Sequence, residues 1–234
     1  MSTAAVLSDF FTAALREARS ERPASLASRI PALDELTEGG FPVNALTELF
    51  IPHAGIGEVR MLLPALASKK HVTWVLPCDS EAAPYAPALA DAGLDLDRQL
   101  FSIPSTPEEA FWCAEQAAAS GETSAVVWLN PLVHGKDGAA LARLDMAAHS
   151  TGTTIFLIRP SSMACTPSPA ELRLMLRPGR SGTVHVRATR RGAFFDRTRE
   201  ADVSLEERPL VPAPRACRRK VQQALASARL SPAC

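Results

Sequence analysis

Apolar residues recur along this chain in two rhythms that take turns. Short runs rich in Val, Ile, Leu and aromatics fall at residues 46–50, 71–76, 99–103, 124–129 and 153–158. Between them, residues 58–68, 84–92, 107–120 and 138–149 carry apolar positions at helical spacing, with Thr106 placed to cap the third of these helices. Strand and helix in alternation predict an α/β fold built on a mostly parallel sheet with flanking helices. After Arg159 the rhythm changes. Residues 171–176 and 183–190 alternate apolar with polar around Pro178, Gly179, Arg180, Ser181 and Gly182, the pattern of a C-terminal antiparallel hairpin, and residues 201–205 offer a third strand.

The two ends follow different patterns. Residues 4–19 place Leu7, Phe10, Phe11, Ala14, Leu15 and Ala18 at helical spacing, so an amphipathic helix is expected, followed by a polar connector over residues 20–28. Pro209, Pro212 and Pro214 mark a linker. Beyond it, residues 218–230 place Val221, Leu225 and Ala228 on one side of a last helix, behind the basic run Arg218, Arg219 and Lys220. Three segments result: an N-terminal helix and connector (1–28), a central domain (29–208), and a linker with a basic tail (209–234).

Composition narrows the class. With 234 residues, 47% of them apolar, the chain supports one sizeable core. No apolar run reaches the roughly 18–20 residues that span a bilayer, and no secretory leader is visible, so a cytoplasmic protein is expected. Cys78, Cys113, Cys165, Cys217 and Cys234 are scattered without C-x-x-C spacing, which favours reduced thiols over a zinc site. A formal net charge of zero argues against a protein that coats nucleic acid through a globally basic surface.

Candidate chemistry concentrates in one stretch. Gly39 and Gly40 form a turn and residues 46–50 a strand. Then Pro52, His53, Ala54, Gly55, Ile56 and Gly57 form a loop that opens a helix. This is the frame of a phosphate-binding loop, G-x-x-x-x-G-K-[ST], whose amides cradle phosphates while its Lys neutralises them and its hydroxyl holds Mg²⁺. If Gly57 is the second glycine, Glu58 stands where the Lys belongs and Val59 where the hydroxyl belongs. A carboxylate repels a triphosphate and an isopropyl group ligates no metal. Glu58 also satisfies the positive helix end itself, so no ATP hydrolysis, cofactor or metal is expected. The strand 124–129 leads into Asn130 and Pro131 rather than an acidic metal anchor, and Asp79 and Glu81 read as solvated loop carboxylates. His53 reads as a surface residue, and Trp74, Trp112 and Trp128 as core. No catalytic constellation emerges.

Three segments together resemble the RecA/SulA superfamily and, within it, the ImuA family. They are residues 33–59, the loop and helix Gly55-Ile56-Gly57-Glu58-Val59-Arg60-Met61-Leu62-Leu63-Pro64-Ala65-Leu66, and the run from Pro84 and Tyr85 through Gly93, Leu94, Asp95, Leu96 and Asp97. The resemblance covers roughly residues 30–205. It implies a RecA-like fold with a degenerate phosphate loop and a non-enzymatic role in DNA-damage-induced translesion synthesis. The implied partners are ImuB, RecA and, indirectly, an error-prone polymerase. In that family's terms the tail with Arg218, Arg219, Lys220, Val221 and Leu225 helps recruit ImuB. The N-terminal helix with Phe10 and Phe11 is a surface for docking on RecA or on another copy, the simpler alternative being that it packs on its own domain. Long Gly-rich DNA-binding loops are missing. Weak single-strand contact through Arg159, Arg177, Arg180, Arg187, Arg190 and Arg191 stays open, with few aromatics to stack bases. A SulA-like division inhibitor that binds FtsZ is the alternative within the same superfamily.

Overall fold

The computed structural model describes residues 24–77, 84–129, 138–180, 182–191 and 199–205. The strands are β1 (Ser25–Leu26), β2 (Phe41–Pro42), β3 (Leu46–Ile51), β4 (Val72–Val75), β5 (Gln99–Ser102), β6 (Ala125–Leu129), β7 (Thr154–Pro160), β8 (Leu172–Pro178), β9 (Thr183–Arg191) and β10 (Arg199–Ser204). The helices are α1 (Pro31–Leu36), α2 (Glu58–Leu66), α3 (Ala86–Asp91), α4 (Pro107–Ala119) and α5 (Gly138–Thr151). Eight strands form one sheet in the order β10-β9-β8-β3-β7-β6-β4-β5. The pairs from β8 through β5 are parallel, whereas β8–β9 and β9–β10 are antiparallel. The chain therefore has the expected α/β architecture with a C-terminal antiparallel hairpin, an arrangement consistent with a RecA-like fold.

Alternation along each strand sorts side chains to two faces. On one side Leu33, Met61, Leu62, Leu66 and Leu89 from α1, α2 and α3 pack on Leu49, Trp74, Val127 and Phe156 of the sheet. On the other, Ala110, Ala114, Leu141 and Leu144 from α4 and α5 pack on Leu46, Val126, Ile155 and Leu157. Because both faces are covered, β3 and β4 are buried throughout. β4, with Val72, Trp74 and Val75, is mainly apolar, as a buried parallel strand requires, whereas β3 carries Thr47 and Glu48 into the interior. Thr106 caps α4 by accepting from the Glu109 amide at 3.2 Å, and Glu109 Oε2 reaches back to the Ser105 amide at 2.8 Å.

Two elements depart from the sequence reading. The polar connector partly becomes β1, which pairs antiparallel with β2. This ribbon needs a glycine: Gly40 has φ +111°, and a Cβ there would lie 2.2 Å from the Leu26 carbonyl oxygen. Trp112 is not core. The buried stripe of α4 is Ala110, Ala114 and Ala118, whose small side chains let the helix lie close to the sheet. Trp112 sits two residues on, about 200° around the axis, and is 61% exposed. Trp74 and Trp128 are buried as expected, and Trp74 Nε1 donates to Gln99 Oε1 at 3.0 Å. The N-terminal helix with Phe10 and Phe11 and the tail with Arg218, Arg219, Lys220, Val221 and Leu225 lie outside the described residues, as do Asp79, Glu81, Asn130 and Pro131. Among the described residues no helix is long and apolar enough to cross a membrane.

One titration bears on stability. Lys69, just after α2, donates to Thr154 Oγ1 at 3.1 Å, and burial pushes its ammonium below the ordinary value of 10.5. The unfolded chain therefore holds this proton more tightly, so wild-type stability rises with pH between the lowered folded value and 10.5. Lys69→Met lacks this term. Urea unfolding at several pH values should show the wild type gaining on the variant as pH rises toward 10.5. Parallel curves would contradict the burial effect.

Candidate functional site

The degenerate phosphate loop follows β3, as its sequence frame requires. Pro52, His53, Ala54 and Gly55 are exposed, and the loop ends at Gly57, which precedes α2 with φ +104°. Glu58, the first residue of α2, turns its carboxylate back into the loop, where Oε1 accepts from the Gly55 amide at 3.0 Å. A backbone donor of the kind that would hold a phosphate is thus held by the chain's own anion. The residue is only 6% exposed. Its second oxygen, Oε2, is shielded from solvent and has no hydrogen-bond partner. Val59 is partly buried and packs against the apolar core beneath the sheet, away from any role in metal binding.

Tertiary packing closes the cradle from a second direction. A Cβ at Gly57 would lie 2.4 Å from Leu205 Cδ1 and 3.3 Å from Val184 Cγ2. The end of the antiparallel extension therefore packs against the glycine where a phosphate loop needs free backbone. Around Gly55 there is open space instead. His53 is exposed, with Nδ1 beside the Ala54 carbonyl oxygen at 3.1 Å, and is a surface residue as expected. Gly55, Gly57, Glu58 and Val59 are thus brought together as one closed, acidic helix start.

Sequence reasoning passed over the strongest electrostatic feature, which lies one strand back. Glu48 is fully buried on β3, between β7 and β8. Its Oε1 accepts from Arg159 Nη1, and its Oε2 accepts from Arg173 Nε at 2.7 Å. Arg173 also donates to the Thr166 carbonyl at 3.1 Å and lies with its guanidinium carbon 4.8 Å from the Phe50 ring centroid. Arg159 is 1% exposed. A side chain so placed cannot reach a nucleic acid, so the single-strand reading loses Arg159. The available sequence signal was an isolated Glu in an otherwise buried strand, which demands a cationic partner.

Among the described side chains the remaining arginines do not form a uniform basic face; those of Arg190 and Arg191 lie outside that set. Arg177, Arg180 and Arg187 are exposed, but Arg187 stands opposite Glu200 across β9–β10. His185 beside it contacts Asp202 at 2.9 Å and Glu200 at 3.7 Å. No cluster of metal-ligating side chains occurs among the described residues.

The fold and this loop define a class: an α/β domain with a mostly parallel sheet consistent with a RecA-like fold, in which the loop before α2 is occupied by its own carboxylate. A scan against protein-family models finds no match, and a search of curated proteins finds no relative.

Two outcomes follow from this geometry. Glu48→Ala leaves the buried Arg159 and the partly buried Arg173 without their shared carboxylate, and chemical denaturation should show a loss of about 3–5 kcal/mol. Replacing Glu58 by Lys and Val59 by Thr restores the signature residues but leaves Leu205 and Val184 against Gly57. Calorimetry should still detect no submillimolar Mg·ATP affinity, and tight binding would mean the packing is not what closes the loop.

Proposed function

We propose that this protein is a non-catalytic adaptor of the DNA-damage-induced mutasome. It links the ImuB polymerase-like subunit, and through it an error-prone polymerase, to RecA. The observation that carries the reading is the retained phosphate-loop frame whose Gly55 amide is held by Glu58 and whose Gly57 is packed against Leu205. A fold that keeps its frame while its anion site is filled internally acts by contact rather than by turnover. Resemblance to ImuA supplies the partners. A cytoplasmic location, with association to the nucleoid after DNA damage, belongs to the same proposal.

The contact surfaces of this reading are the two termini. In this reading the sequence spacing of Val221, Leu225 and Ala228 (i, i+4, i+7) supplies the apolar stripe that a partner's groove would take up as a helix. Arg218, Arg219 and Lys220 speed the encounter with an acidic rim more than they tighten it.

Affinity capture from damaged cells should recover ImuB and RecA with the full-length chain. Deleting residues 215–234 should leave the far-ultraviolet dichroism of the body unchanged and abolish ImuB capture. Asp at both Val221 and Leu225 should do the same. Neutralising Arg218, Arg219 and Lys220 should weaken binding in a salt-dependent way. Recovery of neither partner, together with filamentation and blocked FtsZ polymerisation on overexpression, would transfer the chain to the SulA-like division-inhibitor reading.

A further inference from the structure

A buried carboxylate oxygen without a donor carries an uncompensated desolvation cost. Glu58 Oε2 is in that position, inside the loop where Oε1 already accepts from the Gly55 amide. The N-terminus of α2 is therefore supplied with an anion, and what the site still lacks is a hydrogen-bond donor. We propose that the residual phosphate loop is a receptor for a guanidinium group, with its ligand charge inverted relative to the loop it resembles.

The chemistry selects the ligand. A phosphate would meet the Glu58 charge directly. A divalent cation needs roughly six oxygen ligands, and no acidic or His/Cys cluster stands here among the described residues. A guanidinium offers several N–H donors in a planar fork and loses less on leaving water than an ammonium does. One N–H of the fork serves Oε2. Access comes from the Gly55 side, where a Cβ would meet nothing within 4 Å, because Leu205 and Val184 close the Gly57 side. Entry of the ligand requires only that the exposed loop over residues 52–55 shift, while α2 stays anchored by Met61, Leu62 and Leu66.

Such an arginine has two sources. One is this chain: Leu205 packs on Gly57, and Arg208 lies three residues further on, within about 10 Å of extended backbone. An internal ligand of this kind acts at a high effective concentration. The other is an arginine carried by a protein partner. The site stands on the loop geometry alone and does not depend on which partner the adaptor serves.

Amide spectra of the ¹⁵N-labelled full-length protein test this, with ethylguanidinium, ethylammonium and inorganic phosphate as probes and the Gly55 and Gly57 signals as readout. Ethylguanidinium should shift the Gly55 signal saturably, ethylammonium more weakly and phosphate not at all. If the wild type is silent and Arg208→Gln responds, the chain's own arginine fills the site. If both respond alike, the arginine comes from a partner. Glu58→Gln should weaken the response at least tenfold. Should that variant fail to fold, Glu58→Asp, which draws the carboxylate out of the loop, should weaken it likewise. No response in wild type or Arg208→Gln, an undiminished response without the Glu58 carboxylate, or a stronger response to phosphate would overturn the proposal.

Discussion

Glu48 sets the electrostatic condition that the middle of the sheet must meet. It lies on β3, where helices and neighbouring strands leave no water to solvate it, so an unpaired carboxylate there would cost several kcal/mol. Arg159 from β7 and Arg173 from β8 meet it from either side. These two strands come from opposite halves of the fold, one closing the parallel body and the other starting the antiparallel extension. The triad therefore fixes register where the two halves join. A slip of one residue in either pairing would turn an arginine to the opposite face of the sheet and leave the carboxylate with one of its two partners.

Fixing that join has a consequence at the loop. Once β8 is held against β3, the hairpin through β9 carries Val184 into place, and Leu205, the residue after β10, lies beside Gly57. The loop itself starts one residue beyond β3. A strand buried on both faces thus delivers a Gly-containing turn into a space already bounded by the extension. The closed loop is a product of sheet architecture as much as of the missing Lys.

Glu58 completes the closure locally. A helix start carries partial positive charge and unsatisfied amides, which is why phosphate loops bind anions. Here the first residue of the helix supplies the anion from within. An acid at this position does more than withhold a favourable charge, because its carboxylate takes the Gly55 amide for itself.

The sequence alone determined the alternation of strands and helices, the switch to an antiparallel hairpin after Arg159, and the chemistry lost at Glu58 and Val59. These are local or periodic properties, carried by spacing and residue type within a dozen positions. It misjudged what depends on neighbours far along the chain. Trp112 looked like core because it is apolar, yet the Ala stripe of α4 took the sheet-facing side and left it in solvent. Arg159 stood among the arginines left open to a single strand, yet Glu48, more than a hundred residues earlier, claims it. The Leu205 contact with Gly57 was equally invisible, since nothing in either segment's pattern names the other. Only the tertiary structure could decide such matters, because burial and pairing of a side chain are properties of the place where distant strands meet.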